Sequence, residues 1–333
     1  MDVSDFTVDI VIPWVDGSDI KWQEKKRQYT LTTGEDDQRF RDFGTLKYLL
    51  RSIDLYAEWV NKIFLITDNQ TPEFLNENPK VVIVDHSDYI PKEFLPTFNS
   101  NVIEYNIWRI PNLSEHFILL NDDLLFVGPT SKNDFFSYDG KHVKDTMSQF
   151  VFMPSDDFAH TGVNNIILIN QNFSKKTWLK DNWRAALSFK NGFLLTIISV
   201  FLSAFPRFTR FFDPHVGAPY LKSAMKNSYK LFQSSVDNMF KNNKTREITD
   251  VSVWLVRYFQ ILTGLVEPKS YKFGKYLEIN DAENVAKVFA KRNKKLKMIV
   301  LNDKVSTEQD FLQAQKTLSL LKKNYEAKSQ YEK

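Results

Sequence analysis

Five short apolar segments of this chain each end at an aspartate. The segments are Ile10–Val15, Ile63–Thr67, Val81–Val84, Phe117–Asn121 and Met298–Asn302, and the aspartates are Asp16, Asp68, Asp85, Asp122 with Asp123, and Asp303. Branched apolar residues without polar alternation are typical of strands covered by helices on both faces, as in a parallel sheet. The sequence therefore predicts an α/β fold with a mainly parallel sheet core.

The position of these aspartates indicates a ligand site. In open α/β sheets, ligands bind just beyond the carboxyl ends of the strands. Carboxylates gathered there suit a divalent metal ion and the phosphates that it carries. The alternative is that an aspartate simply starts the next turn or caps the next helix. We expect that simpler role for two or three of the five positions, but not for all.

Composition excludes several classes of function. The 333 residues include 44 basic and 41 acidic side chains, so a net charge near +3 does not predict a nucleic-acid partner. Without cysteine, neither disulfides nor a thiolate metal site can form. The sequence contains neither a glycine-rich phosphate loop nor a zinc-binding histidine pair, so phosphate would be held by side chains and metal. The N-terminus lacks a basic, then apolar, signal segment, which predicts a cytoplasmic protein.

The pattern along the chain predicts three parts. Residues 1–130 and 244–303 form the α/β catalytic core, with a helix from Thr45 to Ile53 and another from Lys244 to Thr263. Residues 131–243 form a helical, aromatic-rich insertion. Residues 304–333 form an amphipathic C-terminal helix, with an apolar stripe of Phe311, Ala314, Leu318 and Leu321.

One apolar stretch, Phe193–Phe205, allows two interpretations. It falls short of the roughly 20 residues that a spanning helix requires. It is either a buried core helix or an interfacial segment, whose basic flanks at Lys190 and Arg207 would contact lipid phosphates. The sequence alone does not separate the two.

Several polar groups are candidates for chemistry. Asp122 and Asp123 form the strongest local metal site, since adjacent carboxylates repel unless a cation or proton intervenes. The segment Arg39–Gly44 places two guanidinium groups before a helix start, where they suit phosphate or form a surface pair with Asp42. Arg246 and Asp250, four residues apart, would also form an ordinary ion pair along a helix.

Four of the five histidines divide into two groups. His86 and His116 border strands and are predicted to be structural. His215 lies in the loop Asp213–Pro219, where prolines and glycine suit a rigidly held side chain, although a structural role is the alternative. His160, in Asp157–Gly162, is the other histidine with a claim to chemistry.

In this order, these segments resemble the Stealth family of sugar-1-phosphate transferases. That family includes bacterial capsule and cell-wall polysaccharide phosphotransferases and the animal N-acetylglucosamine-1-phosphotransferase. The segments that carry the resemblance are Asp9–Gly17; Arg39–Tyr48 with Leu95–Ser100 and Asn121–Asp123; Pro214–Val216 with Arg246 and Asp250; and Val300–Asp303.

The resemblance implies a Rossmann-like core of the glycosyltransferase-A type. It also implies transfer of a hexose or N-acetylhexosamine 1-phosphate from a UDP-sugar, with Mg²⁺ or Mn²⁺ as cofactor. A hydroxyl of a growing polysaccharide or polyprenyl-linked glycan attacks the β-phosphorus, a phosphodiester forms and UMP leaves. The enzyme would work at the inner face of the plasma membrane, in peripheral contact with it. Oligomerisation is left open.

The resemblance also assigns roles to residues. His215 would be the general base, Arg109 and Arg246 would clamp the diphosphate, Glu104 would orient a sugar, and Asp250 would hold Arg246. The metal site would comprise Asp122, Asp123 and Asp303. The donor side would comprise Asp16, Gly17, Arg41, Asp42, Asn99, Ser100 and Asn302.

Two other functions fit the same residues. A metal-dependent glycosyltransferase would use a similar sheet but would cleave the sugar C1–O bond and release UDP. A non-catalytic sugar-nucleotide-binding scaffold is the other possibility. The presence of Asp122, Asp123, His215 and Arg246 together argues against a scaffold, because a decayed site would have lost at least one of them.

Overall fold

The computed structural model describes residues 6–30, 40–153, 158–291 and 293–333. The strands are β1 Val8–Pro13, β2 Ile63–Thr67, β3 Val81–Asp85, β4 His116–Leu119, β5 Leu124–Phe126, β6 Val143–Asp145, β7 Ala218–Leu221, β8 Val266–Pro268, β9 Gly274–Glu278 and β10 Met298–Asn302. The α-helices are α1 Ile20–Arg27, α2 Thr45–Tyr56, α3 His86–Tyr89, α4 Ser100–Tyr105, α5 Ala159–Asn172, α6 Lys175–Ala186, α7 Phe193–Ser203, α8 Lys222–Asn242, α9 Trp254–Leu262, α10 Ala282–Lys291 and α11 Glu308–Asn324.

A five-stranded sheet of order β3-β2-β1-β4-β7 forms the centre. The first four strands are parallel, with Ile10 of β1 paired to Ile63 on one side and Ile118 on the other. The β7 strand is antiparallel to β4 at the edge. Since β1 and β2 are buried along nearly their whole length, as apolar runs require, the predicted Rossmann-like, mainly parallel core is confirmed.

The fifth apolar segment is a strand, but not in this sheet. As β10 it pairs antiparallel with β5 and parallel with β9, forming a separate three-stranded sheet. The N–H of Leu301 also donates to the carbonyl of Asp123 at 3.0 Å. The second sheet therefore brings the end of β10 beside the turn that follows β4.

The segment predicted as an insertion is mostly helical and rich in aromatic contacts. Trp178 of α6 lies 5.5 Å and 5.6 Å, ring to ring, from Phe208 and Phe211. The segment nevertheless supplies β7, the edge strand of the central sheet.

The predicted helix from Lys244 is wrong over 244–253, because α9 begins only at Trp254. The carboxylate of Asp250 accepts a hydrogen bond from the N–H of Glu247 at 3.2 Å and from side chains outside this segment, which holds the chain in a loop.

The C-terminal helix is shorter than the predicted 304–333. It begins at a capping box of Thr307 and Asp310 and ends at Asn324. The chain then returns to α2, where Glu332 accepts two hydrogen bonds of 2.7 Å from the guanidinium of Arg51. In the described parts of the chain, no helix is both long enough and apolar enough to cross a bilayer.

Candidate active site

Two adjacent aspartates follow strand β4. The chain turns at Asp122 and Asp123, and the N–H of Leu124 closes the turn on the carbonyl of Asn121 at 3.2 Å. Burial, followed by the charges of Asp123 and Asp42, raises the pKa of Asp122 to about 8. Burial also raises the pKa of Asp123 to about 6, while nearby His215 lowers it. Two carboxyl groups that both resist ionisation favour a cation or a proton between them.

Asp123 has an oxygen without a partner. Its Oδ1 is buried and accepts no hydrogen bond from any residue that the structure describes. Leaving a buried polar atom unpaired is costly, so this oxygen is suited to contact a cation or a water molecule. The Oδ1 atom of Asp123 is therefore an open ligand position.

His215 is held close to this pair by an irregular loop. Its backbone is left-handed, with φ near 47°, and its N–H donates to Oδ1 of Asp213 at 2.8 Å. A Cβ at Gly217 would approach Cδ2 of Leu120 within 2.3 Å, so the loop can pack against the end of β4 only with glycine there. The imidazole stands edge-on to the ring of Tyr276, with centroids 5.3 Å apart.

The segment before α2 closes another side of the site. Nε of Arg41 donates to Asp303 at 2.8 Å, and Nη2 donates to the carbonyl of Val305 at 3.0 Å. Asp42 accepts hydrogen bonds from the N–H of Gly44 at 2.6 Å and from the indole of Trp14 at 3.2 Å. Arg39 lies outside the described residues.

The last strand end contributes through this ion pair. Asp303 is occupied by Arg41, and its Oδ1 accepts the N–H of Val305 at 2.8 Å. The side-chain amide of Asn302 contacts only the carbonyl of Asp303 among its described partners, at 3.4 Å.

The first strand end is held in a compact turn. Oδ1 of Asp16 accepts from the N–H and hydroxyl of Ser18 at 2.8 and 2.6 Å, and Gln70 bonds both backbone groups of Asp16. A Cβ at Gly17 would meet the carbonyl of Phe40 within 2.0 Å, so glycine lets this turn touch the segment that carries Arg41 and Asp42.

The other two strand-end aspartates have partners of their own. Asp68 forms an ion pair with Lys25 through Oδ1 at 2.6 Å, while its Oδ2 is buried without a partner among the described residues. Asp85 caps α3 in a capping box with Asp88. Together with the turn at Asp16, these account for the simpler structural role expected at two or three of the five positions.

A second cluster is built around Asp250. Its Oδ2 accepts from the amides of Asn99 and Asn101 at 2.8 and 3.0 Å, and its Oδ1 accepts from Asn243 at 2.6 Å. The side chain is fully buried. Asp250 therefore holds the loop before α4 against the loop before α9.

Arg246 and Glu104 belong to the same cluster as Asp250. The predicted helical pair of Arg246 with Asp250 does not form, since both lie in a loop; Nη2 and Nε of Arg246 donate instead to Oγ of Ser100 at 2.7 and 3.1 Å. Burial raises the pKa of Glu104 to about 7, and the charge of Arg246 partly lowers it. A carboxyl that titrates near neutrality beside a guanidinium is suited to exchange a proton or a hydrogen bond with a bound sugar.

Aromatic packing connects the two clusters. Phe40, the neighbour of Arg41, lies 4.9 Å from Trp22 of α1, and Phe98, the neighbour of Asn99, lies 5.7 Å from the same ring. The ring of Trp22 thus links the segment of Arg41 and Asp42 to the segment of Asn99 and Ser100.

Arg109 packs against aromatic rings. Its Nε donates to Asn106 at 2.9 Å, and its guanidinium lies over the rings of Trp108 and Tyr229 at 4.3 and 5.1 Å. Arg109 precedes β4, whereas Asp122 and Asp123 follow it. The contacts described for Arg109 are those of a packed side chain.

Three of the other four histidines occupy three different environments. His86 is buried at the start of α3, and burial lowers its pKa to about 4. His116 has its Nε2 2.7 Å from the carbonyl of Gly140 and its ring against Phe6. His160 is exposed, in the first turn of α5 rather than in a loop.

The sequence alone missed three neighbours of the site. The sequence predicts Trp14 only as part of a strand, yet its indole N–H donates to Asp42. The side chain of Gln70 accepts a hydrogen bond from the backbone N–H of Asp16. Tyr276 was missed because β9 gave no recognisable strand pattern. Only Trp14, polar at one end and placed at a strand terminus, offered a signal.

The carboxylate oxygens of Asp122 and Asp123 fit a divalent ion whose other ligands come from a phosphate group. Among the described residues, no three histidine, aspartate or glutamate side chains come together as a protein-only metal site. Mg²⁺ commonly takes one or two carboxylates and completes its shell with water and substrate phosphates. Asp122 and the unpaired oxygen of Asp123 meet that requirement.

Comparison with known proteins identifies the family. Stealth protein CR1, conserved region 1, matches residues 6–34, and Stealth protein CR2, conserved region 2, matches residues 39–144. The exopolysaccharide phosphotransferase cps2G of Lactiplantibacillus plantarum is 39% identical over 331 residues, 98% of this chain and 97% of the relative.

Two further relatives agree. The capsular polysaccharide phosphotransferase WcwK of Streptococcus pneumoniae is 32% identical over 335 residues, 98% of this chain and 99% of that protein. The receptor polysaccharide phosphotransferase WefC of Streptococcus gordonii is 36% identical over 282 residues, 83% and 84% of the two chains. With identity of this extent along nearly its whole length, the chain belongs to the Stealth family, whose bacterial members here are polysaccharide phosphotransferases.

Proposed function

We propose that this chain transfers a sugar 1-phosphate from a UDP-sugar to a hydroxyl of a growing polysaccharide or lipid-linked glycan. The acceptor oxygen forms a bond to the β-phosphorus, the bond from that phosphorus to the bridging oxygen breaks, and UMP leaves with that oxygen. The acceptor proton passes to a base, and the sugar C1–O bond stays intact. The product is a phosphodiester.

One observation carries this proposal. A histidine in a rigid loop lies close enough to a carboxylate pair at the sheet edge for its charge to lower the pKa of Asp123. Phosphoryl transfer needs charge neutralisation on one side of the phosphorus and proton acceptance on the other. His215 beside Asp122 and Asp123 supplies both in one place, in a chain whose relatives are named as phosphotransferases.

The cation site would be shared with the donor. Asp122 and Asp123 would hold Mg²⁺ or Mn²⁺, which neutralises charge on the diphosphate when bound. His215 accepts the acceptor proton, because histidine is the side chain whose ordinary pKa permits this near neutrality. Asp42 and the Arg41–Asp303 pair border the donor, and Asp16 with Gly17 shapes the adjoining turn.

The second cluster would serve the sugars. Arg246 adds a positive charge, and Glu104 orients a hydroxyl through a hydrogen bond. Ser100 accepts hydrogen bonds from the guanidinium of Arg246, and Asn99 binds Asp250, which holds the loop that carries Arg246. This assignment leaves Arg109 to packing.

The by-product decides between this activity and its rivals. The protein is incubated with Mg²⁺, a panel of UDP-sugars and an oligosaccharide acceptor, and nucleotides are separated by chromatography. UMP and a product with a phosphodiester signal in phosphorus NMR are expected. UDP with a phosphorus-free product would instead establish a glycosyltransferase, and UDP-sugar binding without turnover for any donor would establish a scaffold.

A further inference from the structure

Helix α7 buries polar side chains and exposes apolar ones, the reverse of a helix on a water-exposed surface. The side chains it buries include two hydroxyls, those of Thr196 and Ser199. The hydroxyl of Thr196 donates to the carbonyls of Ser188 and Gly192 at 2.9 Å, and that of Ser199 donates to Gln149 at 3.4 Å. The polar stripe of this helix therefore faces the protein.

The opposite face is apolar and exposed. Phe193 and Phe201 are each 70% exposed. The exposed apolar residues of this face are Phe193, Leu194, Ile197, Val200, Phe201 and Phe205, with Phe189 beside them. Their spacing of three or four residues places them on one side of the helix. We name these seven residues the apolar face. A contiguous apolar surface of this kind on a soluble fold indicates an interaction site.

Positive charge is concentrated in the segment that contains the apolar face. Residues 174–212 contain seven lysines and arginines and one acidic residue, Asp181, whereas the whole chain has a net charge of only +3. The rest of the chain is therefore net negative. The exposed members are Lys176, Lys180 and Arg184 along α6, and Lys190 and Arg207 on either side of α7. The α6 residues recur every four positions and so share one face of that helix.

A buried lysine joins the two helices. Nζ of Lys175, at the start of α6, donates to the carbonyl of Leu202 at 2.6 Å and to that of Arg207 at 3.1 Å. These bonds cap the end of α7 and fix it against α6. The apolar face and the basic helix beside it are thus parts of one preformed surface.

We propose that this surface docks the protein onto a bilayer with anionic headgroups. The phenylalanines lie at the acyl boundary, and the surrounding lysines and arginines contact lipid phosphates. A second copy of the chain is a poorer occupant, because pairing two such surfaces would bring like charges together. With only 11 residues, α7 is suited to lie in the interface rather than cross it.

The docked surface lies next to the proposed catalytic loop. The ring of Tyr271 would meet a Cβ at Gly192, immediately before α7, and it lies 5.6 Å from the ring of Phe212. His215 follows Phe212 by three residues. If the acceptor is lipid-linked, as the proposed function allows, docking would present that loop to it; the docking itself does not depend on the donor or the reaction.

Vesicle flotation tests the proposal. The full chain is mixed with vesicles of phosphatidylcholine alone, or with 30% phosphatidylglycerol, at two salt concentrations. We expect binding to the anionic vesicles that weakens with salt. Phe193→Glu with Phe201→Glu should reduce the bound fraction by about tenfold or more, because two aromatic side chains would no longer enter the lipid phase. Lys176→Gln, Lys180→Gln and Arg184→Gln together should weaken binding to anionic vesicles only.

Two exposed leucines elsewhere provide a matched control. Leu55 and Leu312 are 55% and 48% exposed on α2 and α11, and Leu55→Glu with Leu312→Glu should bind vesicles as the wild type does. Equal melting temperatures establish that all variants are folded. The proposal is overturned if the wild type does not float with anionic vesicles, or if the phenylalanine variant floats equally well. It is also overturned if that variant only converts a dimer to a monomer in sedimentation.

Discussion

Asp250 differs from the pair of Asp122 and Asp123 in how its carboxylate oxygens are hydrogen-bonded. Asp250 is fully buried, and its oxygens accept hydrogen bonds from three asparagine amides and a backbone N–H. Asp122 and Asp123 are partly exposed, lie next to each other, and leave one buried oxygen without a partner in the described structure. The first carboxylate is satisfied by the protein, and the second pair is not.

The difference suits Asp250 to a structural role and the pair of Asp122 and Asp123 to the proposed role in binding a cation. Neutral amide donors stabilise the charge of Asp250 and fix two loops that are far apart in sequence. The raised pKa values of Asp122 and Asp123 show that the fold does not itself stabilise their charges. Such a pair is disadvantageous for stability and useful for binding a cation, a pattern that marks functional sites.

Removing the base beside the unsatisfied pair should have the largest effect. His215→Ala should reduce UMP release by about 10²–10⁴-fold, because a hydroxyl nucleophile is poorly activated near neutrality without a general base. Donor affinity, measured by calorimetry, should survive because the base acts on the acceptor. His160→Ala, which changes an exposed histidine on α5, should have a milder effect. Normal turnover in His215→Ala, or loss of donor binding, would assign the base to another residue.

Replacing Asp250 should lower the free energy of unfolding. Asp250→Ala leaves the amides of Asn99, Asn101 and Asn243 without their acceptor in a buried place. Each unpaired donor costs about 1–3 kcal/mol, so we expect a loss of about 3 kcal/mol or more in the free energy of unfolding. Urea denaturation gives this value, with Asp181→Ala, an exposed site on α6, as the control. Wild-type stability in Asp250→Ala would remove the contrast between the two groups.

The unsatisfied pair should show the reverse behaviour. Asp123→Asn should keep or raise the melting temperature while transfer falls by about 10²-fold or more, because charge neutralisation by a metal is worth several kcal/mol. The assay compares UMP release with and without EDTA, beside a thermal melt of each protein. Undiminished activity in the variant, or full activity of the wild type in EDTA, would refute the metal site.

The parts of the fold that the sequence predicts are those with local signals. Strands β1 to β4 were recognisable from branched apolar runs, and α2 from its helical spacing behind Gly44. The separate sheet of β10 was not, because its partner β5 has only three residues and its partner β9 is largely exposed. The loop over 244–253 was also missed, since the bonds that hold it come from asparagines about 150 positions earlier.

The site follows the same division. Adjacent carboxylates at a strand end identified Asp122 and Asp123 without any tertiary information. The partner of Arg246 is Ser100, and the partner of Arg41 is Asp303, a pair 262 positions apart. Sequence spacing predicts contacts only between residues three or four positions apart on a helix. Contacts between distant positions can be seen only in the structure.

The smallest effect is a pH dependence of stability to which Asp122 and Asp123 contribute. The pKa of Asp122 is about 8 and that of Asp123 about 6 in the folded chain, both above the ordinary value near 3.8. A raised carboxyl pKa favours folding while the group is protonated, so this contribution is complete below about pH 4 and is lost as pH rises toward 8. In EDTA, the melting temperature should therefore fall between pH 5 and pH 8, and the fall should be smaller in Asp122→Asn. Added Mg²⁺ should raise the melting temperature more at pH 8 than at pH 5, because the ion must displace these protons. Asp181→Asn serves as the control for loss of an ordinary exposed charge. An equal fall with pH in all three proteins would refute the assignment of this pH dependence to Asp122.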